Sequence, residues 1–193
     1  MWALIPVKRF CDAKSRLSNF YGPGQRADLA RSLATTAIRA ALGCNHVERV
    51  IVLSSDPEAR LIALNLGAEA QPEARVGAGF NALIGAALDL LEQRGAQRLL
   101  YLASDLPELT ASCIAKFSTA HAADVSIGRA DRDGGTNALL FDAPRRFALA
   151  FGDDSARRHQ LNAHAAGLTA QMLNIAGIAN DLDTAPLALT GTL

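Results

Sequence analysis

The stretch Leu99–Pro107, with the sequence LLYLASDLP, contains the clearest candidate for chemistry, Asp105. A short apolar run bounded by polar turn residues is typical of a buried strand in a mainly parallel sheet. Asp105 would then lie where the strand ends, at the edge where open α/β sheets bind ligands. A carboxylate at this place can hold a hard cation such as Mg²⁺ against phosphate oxygens. The alternative is an aspartate that only makes a turn or caps a helix.

A cluster of basic residues follows the first predicted strand, Trp2–Val7. The segment that begins at Lys8 and ends at Leu17 also contains Arg9, Lys14 and Arg16. Cations in an irregular loop after a first strand can close on an anion such as a phosphate group. A basic loop that is simply solvated is the alternative interpretation.

The polar segment DRDGGTN, in the second half of the chain, joins two glycines to a hydroxyl group. Gly134 and Gly135 allow the backbone to approach a ligand closely because they carry no Cβ atom. Thr136 and Asn137 place a hydroxyl and an amide beside them. A β-hairpin turn is the alternative, since Gly-Gly is a common hairpin signal.

A second polar segment, FGDDS, precedes a predicted helix from Ala156 to Ala166. The free N–H groups of a helix start, together with the Gly152 backbone and the Ser155 hydroxyl, can form an anion site. Capping of the helix by Asp154 or Ser155 is the alternative. We expect His159, one turn into this helix, to orient or cap rather than to accept a proton.

Alternating strands and helices must position these residues. Apolar residues four apart predict helices at Gln25–Leu42 and Phe80–Arg94, and Asp56 and Pro57 are typical of a helix start. Buried strands are predicted at Val50–Leu53 and Leu99–Leu102, and shorter ones follow after Ala122. This alternation predicts crossover connections and a parallel sheet with helices on both faces. The pattern closes at Asn180–Thr184, which contains two further carboxylates.

Length and composition favour one domain, residues 1–193, with a substantial core, because 50% of the residues are hydrophobic. Lys plus Arg and Asp plus Glu number 19 each, so the charge indicates neither nucleic acid nor a membrane surface as a partner. Three cysteines without paired spacing are typical of a reducing cytoplasm. No apolar run is long enough for a transmembrane helix.

Six stretches in this order together resemble one enzyme family: IPVK with the following AKSRL, FNAL, ASDLP, DRDGGTNALL, FGDDSARRH and DLDT. The set is similar to the guanylyltransferases that activate a phosphorylated three-carbon acid in biosynthesis of the deazaflavin coenzyme F-420. Their acceptors are 2-phospho-L-lactate, phosphoenolpyruvate or 3-phospho-D-glycerate. The resemblance covers nearly the whole chain, and GGTNAL joined to FGxxSxxxH is its specific part.

The resemblance implies an α/β fold: the Rossmann-like, mainly parallel sheet of the glycosyltransferase-A-like nucleotidyltransferases. It also implies GTP as donor, Mg²⁺ as cofactor, pyrophosphate as product and Asp105 and Asp183 as metal ligands. The implied catalytic residues are Lys14, Asp105 and Asp183. The implied phospho-acid site is formed by Thr136, Gly152 and Ser155. The implied nucleotide site is formed by Pro6, Val7, Lys8, Lys14, Arg16 and Asn81.

The chain differs from related enzymes at two motifs, and these differences bear on which other functions remain open. The molybdenum-cofactor guanylyltransferases of the same superfamily carry a Gly-rich loop after the first strand, where this chain has Pro6-Val7-Lys8. The family usually continues its last motif as DTP, whereas Ala185 follows Thr184 here. A molybdenum-cofactor or sugar-phosphate nucleotidyltransferase and a non-catalytic nucleotide-binding domain stay open as alternatives.

The expected partners are GTP and a phosphorylated three-carbon acid, with the product passed to a downstream transferase and a homodimer left open. The abundance of alanine and arginine suits a bacterium with GC-rich DNA, and 2-phospholactate is mainly associated with archaeal members. We therefore expect 3-phosphoglycerate or phosphoenolpyruvate as the acceptor. Nothing in the residues themselves separates guanine from adenine.

Overall fold

The computed structural model describes residues 1–73 and 79–182. Within these ranges the strands are β1 Trp2–Pro6, β2 Arg49–Leu53, β3 Glu69–Gln71, β4 Arg98–Leu102, β5 Val125–Arg129, β6 Thr136–Asp142 and β7 Ala170–Leu173. The α-helices are α1 Pro23–Leu42, α2 Pro57–Leu66, α3 Phe80–Gln93, α4 Ala111–Thr119, α5 Ser155–Ala165 and α6 Ala176–Ala179. Two short 3-10 turns, Phe10–Asp12 and Ser15–Leu17, lie between β1 and α1.

The strands form one sheet in the order β3-β2-β1-β4-β6-β5-β7. β1 pairs in parallel with both β2 and β4, while β6 runs antiparallel to its two neighbours, β4 and β5. The predicted mainly parallel α/β sheet is therefore confirmed. The chain builds β2 and β3 on one side of β1 and then crosses to β4 on the other side. Ligands of open α/β sheets bind at such a point, beyond the carboxyl ends of the strands.

Helices cover both faces of the sheet because successive strand residues point to opposite sides. Ile5 belongs to a core shared with α1, α2 and α4, whereas its neighbour Leu4 belongs to a core shared with α3 and α5. Both side chains are fully buried. None of the helices in the two described ranges is long and apolar enough to cross a lipid bilayer.

Several element boundaries differ from the predictions. α1 begins at Pro23 rather than Gln25, because proline is well suited to the first helical position. The β-hairpin, given above as the alternative interpretation of the two glycines, is present, since β5 and β6 form an antiparallel pair. Thr136 and Asn137 lie inside strand β6 rather than in the loop before it. The short strand β3 was not predicted from the sequence.

The short helix α6 packs closely against the start of α4 and the segment before it. A Cβ atom on Gly177 would lie 2.6 Å from Cys113 Sγ and 2.7 Å from the Glu108 carbonyl oxygen. On the other side, the Asn137 amide donates to the Ile178 carbonyl at 2.8 Å. Glycine at position 177 thus lets α6 sit beside the carboxyl end of β4, which directs the following residues towards Asp105.

We expect Gly177→Ala to lower the free energy of unfolding by about 1–3 kcal/mol, because the added methyl group overpacks this contact. Gly24→Ala is the matched control, since a Cβ atom there meets no heavy atom within 4 Å. In a helix that substitution should raise stability by about 0.5–1 kcal/mol. Urea unfolding measures both. Equal stability of Gly177→Ala and the unmodified chain would contradict the close packing.

Candidate active site

A cleft of about 360 Å³ opens at the carboxyl ends of β1 and β4. It brings together most of the site residues identified from the sequence. Those that line it are Pro6, Val7, Lys8, Lys14, Asp105, Thr136, Gly152 and Ser155. One wall therefore carries cations and a carboxylate, and the other carries hydroxyl groups and a glycine.

Lys14 forms the centre of the first wall. Its Nζ atom lies 2.9 Å from Asp105 Oδ2 and donates to the Leu182 carbonyl oxygen at 2.6 Å. The Leu182 N–H donates in turn to the Asp105 carbonyl oxygen at 3.0 Å. The Lys14 side chain is only 7% exposed, whereas that of Asp105 is 31% exposed and faces the cleft. This ion pair joins the loop after β1, the end of β4 and the segment after α6.

The backbone of Lys14 adopts a left-handed conformation, with φ of 55°. This conformation costs a residue with a Cβ atom about 1–2 kcal/mol. The contacts to Asp105 and Leu182 are close enough to hold it. The sequence suggested a cationic loop but carried no sign that one lysine would be turned inward.

Two residues after β2 hold the basic loop in place. Ser54 is fully buried, and its hydroxyl donates to the Val7 carbonyl at 2.6 Å while accepting the Asp56 N–H at 3.0 Å. The Asp56 carboxylate accepts the Phe10 N–H at 2.9 Å and caps α2 by accepting the Glu58 N–H at 2.9 Å. The sequence indicated only the capping role. Because β1 and β2 end at the same sheet edge, their loops can share these contacts.

Ser54→Ala should lower the free energy of unfolding by about 1–3 kcal/mol, because it leaves the buried Val7 carbonyl and the partly buried Asp56 N–H without this partner. The neighbouring Ser55, half-buried, provides the control substitution Ser55→Ala, which we expect to change stability little. Chemical denaturation of the two variants makes the comparison. Similar stabilities for both would show that Ser54 does not support the loop.

A chain of hydrogen bonds builds the second wall. The Ser155 hydroxyl donates to Thr136 Oγ1 at 3.0 Å, and His159 Nδ1 lies 3.0 Å from the same oxygen. His159 Nε2 accepts the backbone N–H of Ala150 at 2.9 Å. Thr136, Ser155 and His159 are all buried. The cleft-lining hydroxyl of Thr136 is therefore held from behind by two side chains of α5.

The start of α5 differs from both sequence interpretations. Asp154 occupies the cap position with φ of 49°, and no side chain caps the helix, so the capping alternative is wrong. The expected free N–H groups are also partly used, since Ser155 donates to Gly152 and Ala156 donates to Gly134. The hydroxyl of Ser155 is directed at Thr136 instead. Gly152, with φ of 121°, allows the chain to turn into the cleft.

Burial lowers the pKa of His159 from its ordinary value to about 4, and the neighbouring Arg158 contributes in the same direction. The imidazole ring is fully buried and packs edge-on against Phe151, with 4.7 Å between ring centroids. Phe151 also contacts Phe80 and Tyr101. His159 is therefore neutral at physiological pH.

This shift predicts a pH-dependent stability. The unfolded chain takes up a proton on this histidine below about pH 6.5, whereas the folded chain does so only near pH 4, so stability falls as the pH falls between these values. Between about pH 7 and pH 5 the loss is about 2 kcal/mol. His159→Gln should lack this part of the loss. The exposed His164 of the same helix supplies the control, since His164→Gln should retain it. The free energy of unfolding is measured as a function of pH for each protein. Parallel curves for the unmodified chain and the His159→Gln variant would contradict the low pKa.

Three of the sequence-predicted residues are not among those that line the cleft: one is placed differently, and two lie wholly or in part outside the described structure. The exposed Asn81 uses its amide on the backbone of Phe151, accepting the N–H at 2.6 Å and donating to the carbonyl at 3.2 Å. It supports the cleft wall and is not among the residues that line the cleft. Arg16 lies in the 3-10 turn Ser15–Leu17, and its side chain is outside the described part. Asp183 also lies outside the described residues.

Further residues line the cleft that the sequence did not assign to the catalytic, substrate or nucleotide sites. The acidic ones are Glu73, Asp133, Asp153 and Asp181, and the large apolar ones include Phe80, Leu83 and Phe151. Asp133 makes a local turn contact, since its carboxylate accepts the Gly135 N–H at 2.9 Å. The FNAL motif was the available signal for Phe80 and Leu83.

Of the two carboxylates that the resemblance implies as Mg²⁺ ligands, Asp105 lies in the described part of the chain, and its oxygen donors suit this cation. Mg²⁺ is usually bound by one or two carboxylates together with substrate phosphates and water. Among residues 1–73 and 79–182, no group of three or more His, Cys, Asp or Glu side chains could hold a metal ion. Phosphate oxygens of a substrate would therefore have to supply further ligands.

A family model described as "Guanylyl transferase CofC like" matches residues 1–188. The chain belongs to this CofC-like guanylyltransferase family. A phosphoenolpyruvate guanylyltransferase from Sphaerobacter thermophilus is 36% identical over 185 residues, which cover 94% of this chain and 87% of that protein. A 2-phospho-L-lactate guanylyltransferase from Methanothermobacter thermautotrophicus is 32% identical over 184 residues, or 95% and 80% of the two chains. This CofC-like chain is therefore an enzyme of the nucleotidyltransferase class.

The fold of this CofC-like guanylyltransferase is also similar to solved structures. A nucleotidyl transferase from Methanothermobacter thermautotrophicus superposes with a TM-score of 0.62 at 16% identity, covering 91% of this chain and 88% of the other. At this level of identity the likeness concerns the fold alone. It identifies the sheet as that of the nucleotidyltransferases expected from the sequence.

Proposed function

We propose that this enzyme transfers GMP from GTP to the phosphate of a phosphorylated three-carbon acid and releases pyrophosphate. One observation carries the proposal: a single cleft joins a wall of cations and a carboxylate to a wall of hydroxyl groups. The first wall suits a triphosphate with its metal ion, and the second suits a small anion. The two relatives, a phosphoenolpyruvate and a 2-phospho-L-lactate guanylyltransferase, support a guanine nucleotide and a small phospho-acid as the two substrates.

The main difficulty of such a reaction is bringing two anions together. Two unit charges about 4 Å apart repel by about 4 kcal/mol at an effective dielectric near 20. Lys14, Lys8 and Arg16 are proposed to offset the charge of the departing pyrophosphate. Mg²⁺, held by Asp105 and in our proposal also by Asp183, supplies further neutralisation of the phosphates when bound.

No side chain is required as a general base. A phosphate monoester is largely ionised at neutral pH, because its second pKa is about 6. Its oxygen can therefore attack the α-phosphorus of GTP directly. The described site agrees with this, since both ring nitrogens of His159, the histidine nearest the proposed acceptor site, are engaged by Thr136 and Ala150.

Phosphoenolpyruvate is the acceptor we propose. Phe80, Leu83 and Phe151 give the cleft an apolar wall, and the Phe151 ring packs on His159 behind Thr136. An apolar methylene group suits such a wall, whereas the hydroxyl group of 3-phosphoglycerate would be left without a partner there. A missing methylene group changes the free energy of binding by about 1–3 kcal/mol, and leaving a polar group unpaired in the site weakens binding by more than that. 2-Phospho-L-lactate, with a methyl group, is the nearest competitor.

The family's role implies the wider setting of the proposal. The product would be a phosphoanhydride that joins GMP to the phosphate of the phospho-acid, formed in the cytoplasm and passed to a downstream transferase in coenzyme F-420 biosynthesis. A homodimer stays a prediction.

The direct test is pyrophosphate release from GTP or ATP with each of the three acceptors. We expect release with GTP and phosphoenolpyruvate. Asp105→Asn should reduce the rate at least about a hundredfold, because a carboxylate that holds the cation is lost. Asp28→Asn, on the exposed face of α1, is the control and should retain full activity. Equal rates with ATP would contradict the GTP assignment, and near-full activity of Asp105→Asn would contradict the role of Asp105.

A further inference from the structure

The hydrogen bonds of His159 define which of its ring nitrogens carries the proton. A backbone N–H can only donate, so the bond from Ala150 requires an unprotonated Nε2 atom. The buried ring is neutral, and its single proton must therefore reside on Nδ1. Nδ1 lies 3.0 Å from Thr136 Oγ1, so this bond is one in which the histidine donates.

The same reasoning defines the role of the Thr136 hydroxyl. Its oxygen accepts from His159 Nδ1 and from the Ser155 hydroxyl, which uses both of its lone pairs. The hydroxyl proton of Thr136 therefore has to point elsewhere. Within residues 1–73 and 79–182 this hydroxyl donates no hydrogen bond, and Thr136 lines the cleft. Thr136 is held as a hydrogen-bond donor towards whatever occupies the cleft.

We infer that His159 is a positioning residue for the phospho-acid: its Nδ1–H bond forces the Thr136 hydroxyl to donate to the acceptor anion. The inference rests on the proposed function, which places the phospho-acid against Thr136. A hydroxyl group can normally donate or accept by rotating. An anion needs a donor, so fixing the donor orientation in advance removes part of the ordering cost of binding.

His159 also links the two chain segments of the second wall. Through Nδ1 it contacts strand β6 at Thr136, and through Nε2 it contacts Ala150, two residues before Gly152. The two bonds can be separated by substitution. The amide of glutamine reaches the position of Nε2 and can still accept from Ala150, whereas the amide of asparagine reaches the position of Nδ1 and can still donate to Thr136.

The kinetic test compares these two variants with and without the Thr136 hydroxyl. His159→Gln should raise the KM for phosphoenolpyruvate about tenfold and leave the KM for GTP unchanged, because a hydrogen bond to a charged group is lost or weakened. In a Thr136→Val background it should have no further effect. His159→Asn acts through Ala150 instead, so its smaller effect should be the same in both backgrounds.

Two results would overturn the inference while leaving the proposed function intact. One is an effect of His159→Gln that persists undiminished in the Thr136→Val background. The other is a parallel rise in the KM for GTP, which indicates a general loss of structure. An unmodified enzyme that releases no pyrophosphate with any phospho-acid would instead overturn the proposed function, and the inference with it.

A measurement on the unmodified protein does not depend on activity or on how the variants fold. Two-dimensional ¹H–¹⁵N NMR of the histidine rings distinguishes the two neutral tautomers. We expect the His159 ring to carry its proton on Nδ1 at neutral pH. A proton on Nε2, or on both nitrogens, would overturn the inference.

Discussion

The ion pair between Lys14 and Asp105 is the interaction on which the first wall of the cleft depends. It joins three segments that are far apart in the chain, and the nearly buried amine also binds the carbonyl oxygen of Leu182. A charge of this kind is costly to remove from water unless its partners are well placed. The left-handed backbone of Lys14 and the close packing of α6 at Gly177 both help to bring the amine, the Asp105 carboxylate and the Leu182 carbonyl together.

The second wall is built on hydrogen bonds rather than on charge. Thr136, Ser155 and His159 are buried and hydrogen-bond to one another. The direction of the bond between His159 and Thr136 follows from one group that can only donate, the N–H of Ala150. The two walls thus differ in what they offer a ligand. One wall carries positive charge and a carboxylate, which in the proposed function bind a metal-bound triphosphate, and the other carries oriented donors, which in that proposal bind a smaller anion.

The sequence predicted the parts of the site that lie where apolar runs end. Asp105 follows a buried strand, and Thr136 and Ser155 lie in polar segments beside glycines, so the pattern marked all three as candidates while leaving a turn, a hairpin and a helix cap open. The resemblance to the family then assigned them to the site. Strand β3 was missed because its three residues, Glu69–Gln71, are all half-exposed and show no apolar pattern. The contacts of Asn81 and the direction of the Ser155 hydroxyl were missed because backbone and side-chain atoms distant in the chain determine them.

The central claim is that an oxygen of the acceptor's phosphate attacks the α-phosphorus of GTP in this cleft. Phosphoenolpyruvate labelled with ¹⁸O at the three non-bridging phosphate oxygens tests this most directly. Mass spectrometry should find all three labels in the guanylylated product and none in the released pyrophosphate. ³¹P NMR should show the isotope shift of one labelled bridging oxygen on the guanosine-bearing phosphorus, which attack by the carboxylate would not give. Label in pyrophosphate, or formation of GMP with unchanged phosphoenolpyruvate, would contradict the account.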